Sequence, residues 1–215
     1  MTRKNQAKIA VFVHHPECSI QSAHGIVRAL ALDYKVECIT QQDLDQLDDY
    51  EILAVPGGIG DSNSYHKILA PYQEQIRQYL AQGGHYLGIC MGAYWAGPHY
   101  LNILRDIDAV QYIRRPGADV RRSFGTVAEV TWLGRQEYMF FYDGCSLIGQ
   151  KRNYQTIARY ANGDAAAIIQ GRIGVIGPHP ESDIYWYTKP YMQPHWHDYY
   201  HHELLLNFVQ KLLRY

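Results

Sequence analysis

The sequence lacks three features: an excess of charge of either sign, a long apolar run and a closely spaced pair of cysteines. Its 215 residues carry 20 Lys and Arg against 21 Asp and Glu, which gives a formal net charge of -1. This balance offers no electrostatic case for binding nucleic acid or an anionic membrane surface. No apolar stretch approaches the roughly 20 residues that a membrane-spanning helix needs. We therefore predict a protein that binds neither nucleic acid nor membrane.

The cysteines and the first residues of the chain bear on the cellular compartment. Cys18, Cys38, Cys90 and Cys145 are far apart and form no C-x-x-C pair. Residues 1–8 are polar and lead into an apolar strand rather than into a signal-peptide core. These features predict a reduced cytoplasmic protein with one or two functional thiols at most.

Strand and helix patterns alternate in the first half of the chain. The predicted strands are 8–13, 34–39, 51–55 and 85–89, and the predicted helices between them are 22–32 and 65–80. This alternation, with short turns, indicates right-handed crossovers and a mostly parallel sheet with helices on both faces. We predict an α/β fold in which ligands bind beyond the carboxyl ends of the strands.

The second half changes character, and it predicts a small antiparallel section. Short strands joined by turns are predicted at 109–113, 125–132, 138–142 and 156–160, then a hairpin at 165–176 and a last helix at 203–213. Cys145 is expected in a packed loop. No linker or composition shift divides the chain, so we predict one domain over residues 1–215.

The stretch Gly88-Ile89-Cys90-Met91-Gly92 follows an apolar strand and precedes small and aromatic residues. It is the cysteine form of the G-x-S-x-G nucleophile elbow, in which a strand turns sharply into a helix. The two glycines allow a close backbone crossing, and the N-terminus of the following helix favours a thiolate. The stretch predicts an exposed, activated thiol at Cys90. The competing interpretation is a small buried hydrophobic side chain, which is the usual fate of a free cysteine.

A cysteine nucleophile needs a base, and the base needs an acceptor that fixes its tautomer. Gly177-Pro178-His179-Pro180-Glu181 follows the apolar strand 173–176. A residue before proline prefers extended backbone, where side chains two positions apart point to the same side. We therefore expect His179 and Glu181 to lie side by side. A second His-Pro-Glu occurs at 15–17, where His15 is the weaker candidate for the base.

Three motifs in this order, Pro56-Gly57-Gly58, the Cys90 elbow and the His179 segment, resemble the class I glutamine amidotransferase superfamily. The similarity spans almost the whole chain. The closest branch is the amidotransferase-like N-terminal domain of biotin protein ligases, whose signature resembles residues 55–58, Tyr65, 83–90 and 92–94. The resemblance implies a flavodoxin-like three-layer sandwich, with a mostly parallel central sheet between two helical layers.

The resemblance also implies a function and a set of site residues. Cys90, His179 and Glu181 would form a catalytic triad that makes a thioester from a small amide-bearing substrate. The resemblance assigns the oxyanion hole to the backbone N–H groups of Gly58 and Met91, and substrate contacts to Gly57, Tyr65, Tyr94 and Asp143. Tyr94 stands where glutamine amidotransferases typically carry a glutamine that helps to bind substrate, so we expect a reshaped pocket. The expected partner is a small-molecule substrate, with no cofactor; a homodimer or a separate synthetase is left open.

Three other interpretations compete with the triad. The chain could be a non-catalytic or regulatory small-molecule-binding module that uses the substrate pocket of the amidotransferase fold. It could also be a ThiJ/PfpI-type protein, in which an acidic residue near the first strand, here Glu17, serves the cysteine. His197 and His201 stand four apart and could share a helix face, but no fixed metal-ligand spacing is met, so we predict no metal site.

Overall fold

A computed structural model describes residues 6–59, 63–150 and 153–215. Within these ranges the strands form one sheet of eleven members. The strands are β1 Lys8–Phe12, β2 Lys35–Ile39, β3 Ile52–Val55, β4 His85–Ile89, β5 Ile107–Gln111, β6 Thr126–Trp132, β7 Arg135–Phe141, β8 Cys145–Gly149, β9 Gln155–Tyr160, β10 Ala165–Gln170 and β11 Ile173–Ile176. The α-helices are α1 Ile20–Leu30, α2 Ser64–Ile68, α3 Gln73–Ala81, α4 Met91–Trp95 and α5 Tyr200–Leu212.

The parallel part of the sheet runs in the order β2-β1-β3-β4-β11. Strand β11 comes from the end of the chain, yet it lies beside β4, with Val175 opposite Gly88 and Ile176 opposite Ile89. The carboxyl ends of β3, β4 and β11 therefore meet at one edge of the sheet. This register brings the three separated motifs of the sequence to the same place.

Antiparallel pairing continues the sheet from β11 through β10, β9, β6 and β7, while β5 pairs with β8 and β8 with β10. The α/β class is thus confirmed, although the antiparallel section holds more of the described strands than the sequence patterns predict.

Two apolar layers cover the sheet, one on each face. Along β1, Ile9 and Val11 pack with α1 and α5, whereas Ala10 and Phe12 pack with α2, α3 and α4 on the other face. All four side chains are fully buried, because alternate residues of a strand point to opposite faces and both faces are covered.

Two local predictions differ from the structure. The helix predicted at 65–80 is broken into α2 and α3 by a 3₁₀ turn, Ala70–Tyr72. Pro71 lacks an amide hydrogen and cannot continue the helix. Cys145, expected in a packed loop, is instead the first residue of β8, which pairs along its whole length with β5. Pairing with a distant strand decides this element, and the local sequence carries no sign of it.

Within the described ranges, no helix combines the length and the apolar character that crossing a membrane requires.

Candidate active site

Cys90 lies at the sharp corner between β4 and α4. Its φ of 50° and ψ of -103° are unusual for a residue with a side chain, and such a conformation costs on the order of 1–3 kcal/mol. The backbone N–H of Cys90 donates to the carbonyl of Ile176 at 2.8 Å, which ties the corner to β11. A Cβ on Gly92 would overlap the carbonyl of Val55, so this position accepts glycine alone without rearrangement. The geometry is that of the predicted elbow, but the thiol predicted to be exposed is buried, with Cys90 only 4% exposed, because the surrounding loops pack over the corner.

His179 and Glu181 are hydrogen-bonded to each other in the buried segment after β11. Nδ1 of His179 lies 2.8 Å from Oε1 of Glu181, and the two residues are only 4% and 0% exposed. The His179 backbone N–H donates to the carbonyl of Phe140 at 2.9 Å. The side-by-side placement expected from the extended His-Pro-Glu segment is present.

The His179 ring also lies next to Cys90. A Cβ on Gly57 would overlap Cε1 of His179 and lie 3.4 Å from Cβ of Cys90, so both side chains border the same glycine. Burial alone would lower the pKa of His179, but the charges of Glu181 and Cys90 outweigh it and raise that pKa to about 10. The ring is therefore protonated at neutral pH, which suits a proton donor beside a thiolate.

The thiol and the free ring nitrogen are not hydrogen-bonded to each other. Sγ of Cys90 donates to the carbonyl of Tyr142 at 3.3 Å, and Nε2 of His179 has no partner of good geometry among the described residues. Cys90 therefore acts on the ring chiefly through its charge. Catalytic hydrogen bonds are often long before substrate binds, so this arrangement is compatible with proton transfer.

Ser22, a residue that the sequence analysis missed, connects two parts of the site. Its hydroxyl donates to Oε1 of Glu181 at 2.6 Å and accepts the backbone N–H of Gly57 at 3.0 Å. The side chain is buried on α1. It joins the carboxylate behind His179 to the loop that carries Gly57 and Gly58. No local signal could have found it, because Ser22 is 159 residues from Glu181.

The two residues assigned to the oxyanion hole are neighbours. A Cβ on Gly58 would overlap Cε of Met91, and Met91 is the first residue of α4. Gly58 forms an isolated bridge with Cys18, which fixes the loop after β3 against the segment after β1. Both backbone N–H groups thus belong to the loops that surround Cys90.

Comparisons with known proteins agree with this geometry. The model of the family described as biotin-protein ligase, N terminal, matches residues 13–101. Three solved structures share the fold. PurLQS from Thermotoga maritima is 15% identical, with 95% of this chain and 99% of that chain covered and a TM-score of 0.65. A glutamine amidotransferase is 15% identical, with 96% of this chain and 99% of that chain covered and a TM-score of 0.66, and a glutamine amidotransferase from Thermotoga maritima is 11% identical, with 99% of this chain and 100% of that chain covered and a TM-score of 0.67. A search of curated proteins finds no match.

The chain has a glutamine amidotransferase-like fold. Together with the family match, this confirms the resemblance on which the site assignment depends. The matched range contains Gly58 and Cys90, and it ends before His179 and Glu181.

Cys90 lines a cavity of about 380 Å³. Tyr94 and Asp143, both predicted to contact substrate, line the same cavity. The Tyr94 hydroxyl donates to the carbonyl of Asp143 at 3.0 Å, and Gln111 Nε2 donates to Oδ2 of Asp143 at 2.8 Å. Burial raises the pKa of the Asp143 carboxyl. Tyr94 therefore anchors the loop that forms the far wall of the cavity.

A second cavity, of about 250 Å³, is lined by His179, Ser22 and Gly57 together with several aromatic side chains. Among the described lining residues it shares Gly58, Ile59 and Tyr142 with the first cavity. Cys90 and His179 thus border two adjoining spaces. A larger cavity of about 840 Å³ lies elsewhere, lined in part by Arg77, Arg105 and Arg172, and none of the assigned residues takes part in it.

Two of the sequence candidates lie outside both cavities. Tyr65 is 2% exposed and packs against Trp95 and Tyr100, so it supports the wall rather than lining the space. His15 is exposed on the segment after β1, which contacts the loop that carries Gly58. It shares no hydrogen bond with Cys90 among those of the described residues.

The histidines near the C-terminus form a packed cluster. His197 and His201 stack at 3.7 Å between ring centroids, and burial lowers the pKa of His197 to about 3 and of His201 to about 2. His202 Nε2 lies 3.0 Å from the carbonyl of Ser182, so the cluster supports the segment behind Glu181. Among the described residues, no group of three or more His, Cys, Asp or Glu side chains is arranged to hold a metal ion.

Proposed function

We propose that this protein cleaves a small amide through a thioester on Cys90. The observation that carries the proposal is the buried His179, held at 2.8 Å by Glu181 and bordering the same glycine, Gly57, as Cys90. A structural role alone gives no reason to bury an imidazole, a carboxylate and a thiol together, because buried charges are costly unless they are paired.

Each residue has a defined part in the reaction. The thiol proton resides on His179, so Cys90 attacks the amide carbon as the thiolate, and the N–H groups of Gly58 and Met91 hold the developing oxyanion, each worth about 3 kcal/mol by analogy with other acyl-transfer enzymes. His179 gives this proton to the departing nitrogen, the C–N bond breaks, and an acyl thioester remains. His179 then takes a proton from water as the resulting hydroxide attacks the thioester; the C–S bond breaks, the acid is released and the thiolate–imidazolium pair is restored.

The acyl part of the substrate would occupy the cavity beside Cys90. Its polar side chains are those of Asp143, Gln111, Tyr94 and Ser123, and the first three are already hydrogen-bonded within the protein. The substrate is therefore a small molecule with hydrogen-bonding groups of its own. Glutamine remains one candidate, and Tyr94 in the usual glutamine position favours a different small amide.

The experiment measures ammonia or amine release from a panel of metabolite amides, glutamine included, by the purified protein and by Cys90→Ala. Turnover that disappears in Cys90→Ala supports the proposal, whereas turnover that survives in this variant refutes it. Alkylation supplies a substrate-independent readout: iodoacetamide should label Cys90 faster than the exposed Cys38, whose pKa is raised by partial burial.

A non-catalytic binding module is the second candidate function. It is favoured by the 4% exposure of Cys90 and by the hydrogen bond that its thiol donates to the Tyr142 carbonyl. In that case Cys90 would be labelled no faster than Cys38, and no amide of the panel would be cleaved.

A further inference from the structure

The cavity beside His179 has an aromatic wall that the proposed reaction leaves without a role. Phe140 and Trp186 stand edge-on to each other at 4.9 Å, and each stands edge-on to the His179 ring, at 5.8 Å and 5.5 Å. Among the described residues lining this cavity, none is Lys, Arg, Asp or Glu. The polar lining consists of Ser19, Gln21, Ser22 and the His179 ring, and the aromatic wall opposite them suits an uncharged, apolar group.

The rim of this cavity is also apolar, and it faces solvent. Ile59, Tyr142 and Tyr185 are 64%, 39% and 47% exposed, and all three line the cavity. Exposed apolar side chains gathered around one opening are typical of a binding site rather than of ordinary surface. Trp186 gives a second indication of a binding site, because its indole N–H is buried without a hydrogen-bond partner among the described residues.

The chemistry of the proposed reaction tells which part of a substrate would enter this space. His179 must deliver its proton to the nitrogen that leaves the acyl carbon, so that nitrogen faces the His179 side of the site. Any group attached to the nitrogen would then extend into the cavity that His179 lines. A primary amide carries no such group and would leave the aromatic wall unused.

We infer that the aromatic cavity binds the amine side of the substrate, so that the bond cleaved is that of a secondary amide with an aromatic or other apolar group on its nitrogen. The inference rests on the proposed function, because it assigns His179 as the proton donor. In the cleavage, the sulfur–carbon bond forms and the carbon–nitrogen bond breaks. The His179 proton moves to the nitrogen, and an uncharged arylamine or a similar apolar amine departs.

The test compares two alkylating reagents that differ only at the amide nitrogen. Iodoacetamide carries two hydrogens on that nitrogen, and N-phenyliodoacetamide carries a phenyl group instead of one of them. Rates of Cys90 alkylation are measured by mass spectrometry, and their ratio is divided by the same ratio for free cysteine in solution. We expect a normalised ratio of about tenfold or more in favour of the phenyl reagent, because the ring would bind beside Phe140 and Trp186 before sulfur displaces iodide.

Two variants at Trp186 distinguish the contribution of the aromatic cavity from the intrinsic reactivity of the Cys90 thiol. Trp186→Ala should reduce the normalised ratio to within about twofold of unity, and Trp186→Phe should retain most of it, because the ring remains. Tyr215→Ala, which removes an exposed aromatic side chain at the C-terminus, is the matched control and should leave the ratio unchanged. Circular dichroism of each variant checks that it is folded.

The outcomes distinguish this inference from the function on which it rests. If iodoacetamide labels Cys90 rapidly but the phenyl group gives no advantage, the thiol is activated and the assignment of the cavity is wrong. The same holds if the advantage survives in Trp186→Ala. If neither reagent labels Cys90 faster than Cys38, the proposed function fails and this inference fails with it.

Discussion

The sequence contains two His-Pro-Glu segments, and the fold gives them different surroundings. Both follow a strand of the parallel part of the sheet: His15–Glu17 follows β1, and His179–Glu181 follows β11. In the first segment the glutamate lies 3.1 Å from Nδ1 of the preceding His14, on the surface. In the second, the histidine and the glutamate bond to each other and are buried.

The electrostatic consequences follow from burial. The Glu17 carboxyl has a lowered pKa, chiefly because of a backbone hydrogen bond, and its charge lies in water, where a nearby charge has little effect. Glu181 has no exposed surface, so its charge acts strongly on His179 and raises the pKa of that ring to about 10. The same three residues therefore make a surface turn in one place and a charged pair in the other.

The difference shows what turns a tripeptide into a candidate site. The His179 segment has Ser22 behind its carboxylate and Cys90 beside its ring, and both come from other parts of the chain. In the His15 segment, the Glu17 side chain bonds to His14 and its backbone carbonyl accepts the N–H of Ile59. The difference between the two segments can be tested by changing one residue of each segment at a time.

His179→Gln should have the largest effect. At pH 6 an ordinary thiol is almost wholly protonated, so loss of the imidazolium should slow iodoacetamide alkylation of Cys90 by about 10²-fold. His15→Gln is the matched control and should leave that rate within about twofold, because surface substitutions rarely act at a distance. If His15→Gln slowed alkylation strongly, His15 rather than His179 would be assigned as the base.

Glu181→Gln should come second. The amide keeps the shape of the side chain but removes the negative charge that raises the pKa of His179, so alkylation of Cys90 at pH 6 should fall by about 30-fold. Glu17→Gln makes the same change in the surface segment, and we expect no effect there. Equal rates for the two variants would mean that the buried carboxylate does not serve His179, and would also reopen the assignment of Glu17.

Ser22→Ala should have a smaller effect. The carboxylate would lose one hydrogen bond and Gly57 N–H its acceptor, so Glu181 should hold His179 less firmly and alkylation should slow by about fivefold. Ser22→Cys keeps a weak donor of similar size and should recover part of the rate. A pH profile of alkylation separates this role from simple packing, because only a change in His179 or Cys90 shifts its midpoint.

The sequence predicted the parts of the fold and site that local patterns determine. The elbow at Cys90 required glycines at two fixed positions, and the extended backbone around Pro180 set His179 beside Glu181. The alternation of strands and helices predicted the parallel part of the sheet. These features depend on residues close together in the chain.

The rest depends on contacts between distant residues. Ser22 meets Glu181 only because α1 packs against the segment after β11. Strand β8 exists because β5 pairs with it, and the aromatic cavity combines Phe140 of β7 with Trp186, 46 positions later. Tyr65 appeared to be a substrate contact because it stands in a signature, yet packing against Trp95 and Tyr100 buries it.

The two segments should also differ in how the stability of the fold depends on pH. The pKa of His179 is raised in the folded chain, so its contribution is fully present below the unfolded value of about 6.5 and is lost as pH rises through the folded value. Cys90→Ser removes the thiol and leaves the charge of Glu181, which still raises the pKa of His179. In that background we expect the urea midpoint to fall as pH rises above about 6.5, and we expect the double variant Cys90→Ser/Glu181→Gln to show a smaller decline.

The Glu17 carboxyl has the opposite sign and should have the smallest effect. Its pKa is lowered in the folded chain, so any stabilisation is present above the unfolded value of about 4.5 and is lost as pH falls through the folded value. Because the group is exposed, salt screens it, and Glu17→Gln should leave the urea midpoint at pH 3 and pH 6 unchanged within error. Surface charges are largely screened at roughly 0.5 M salt. If Glu17→Gln changed the urea midpoint at pH 3 in that salt, the Glu17 carboxylate would contribute to stability as the buried Glu181 does, and the two segments would not differ.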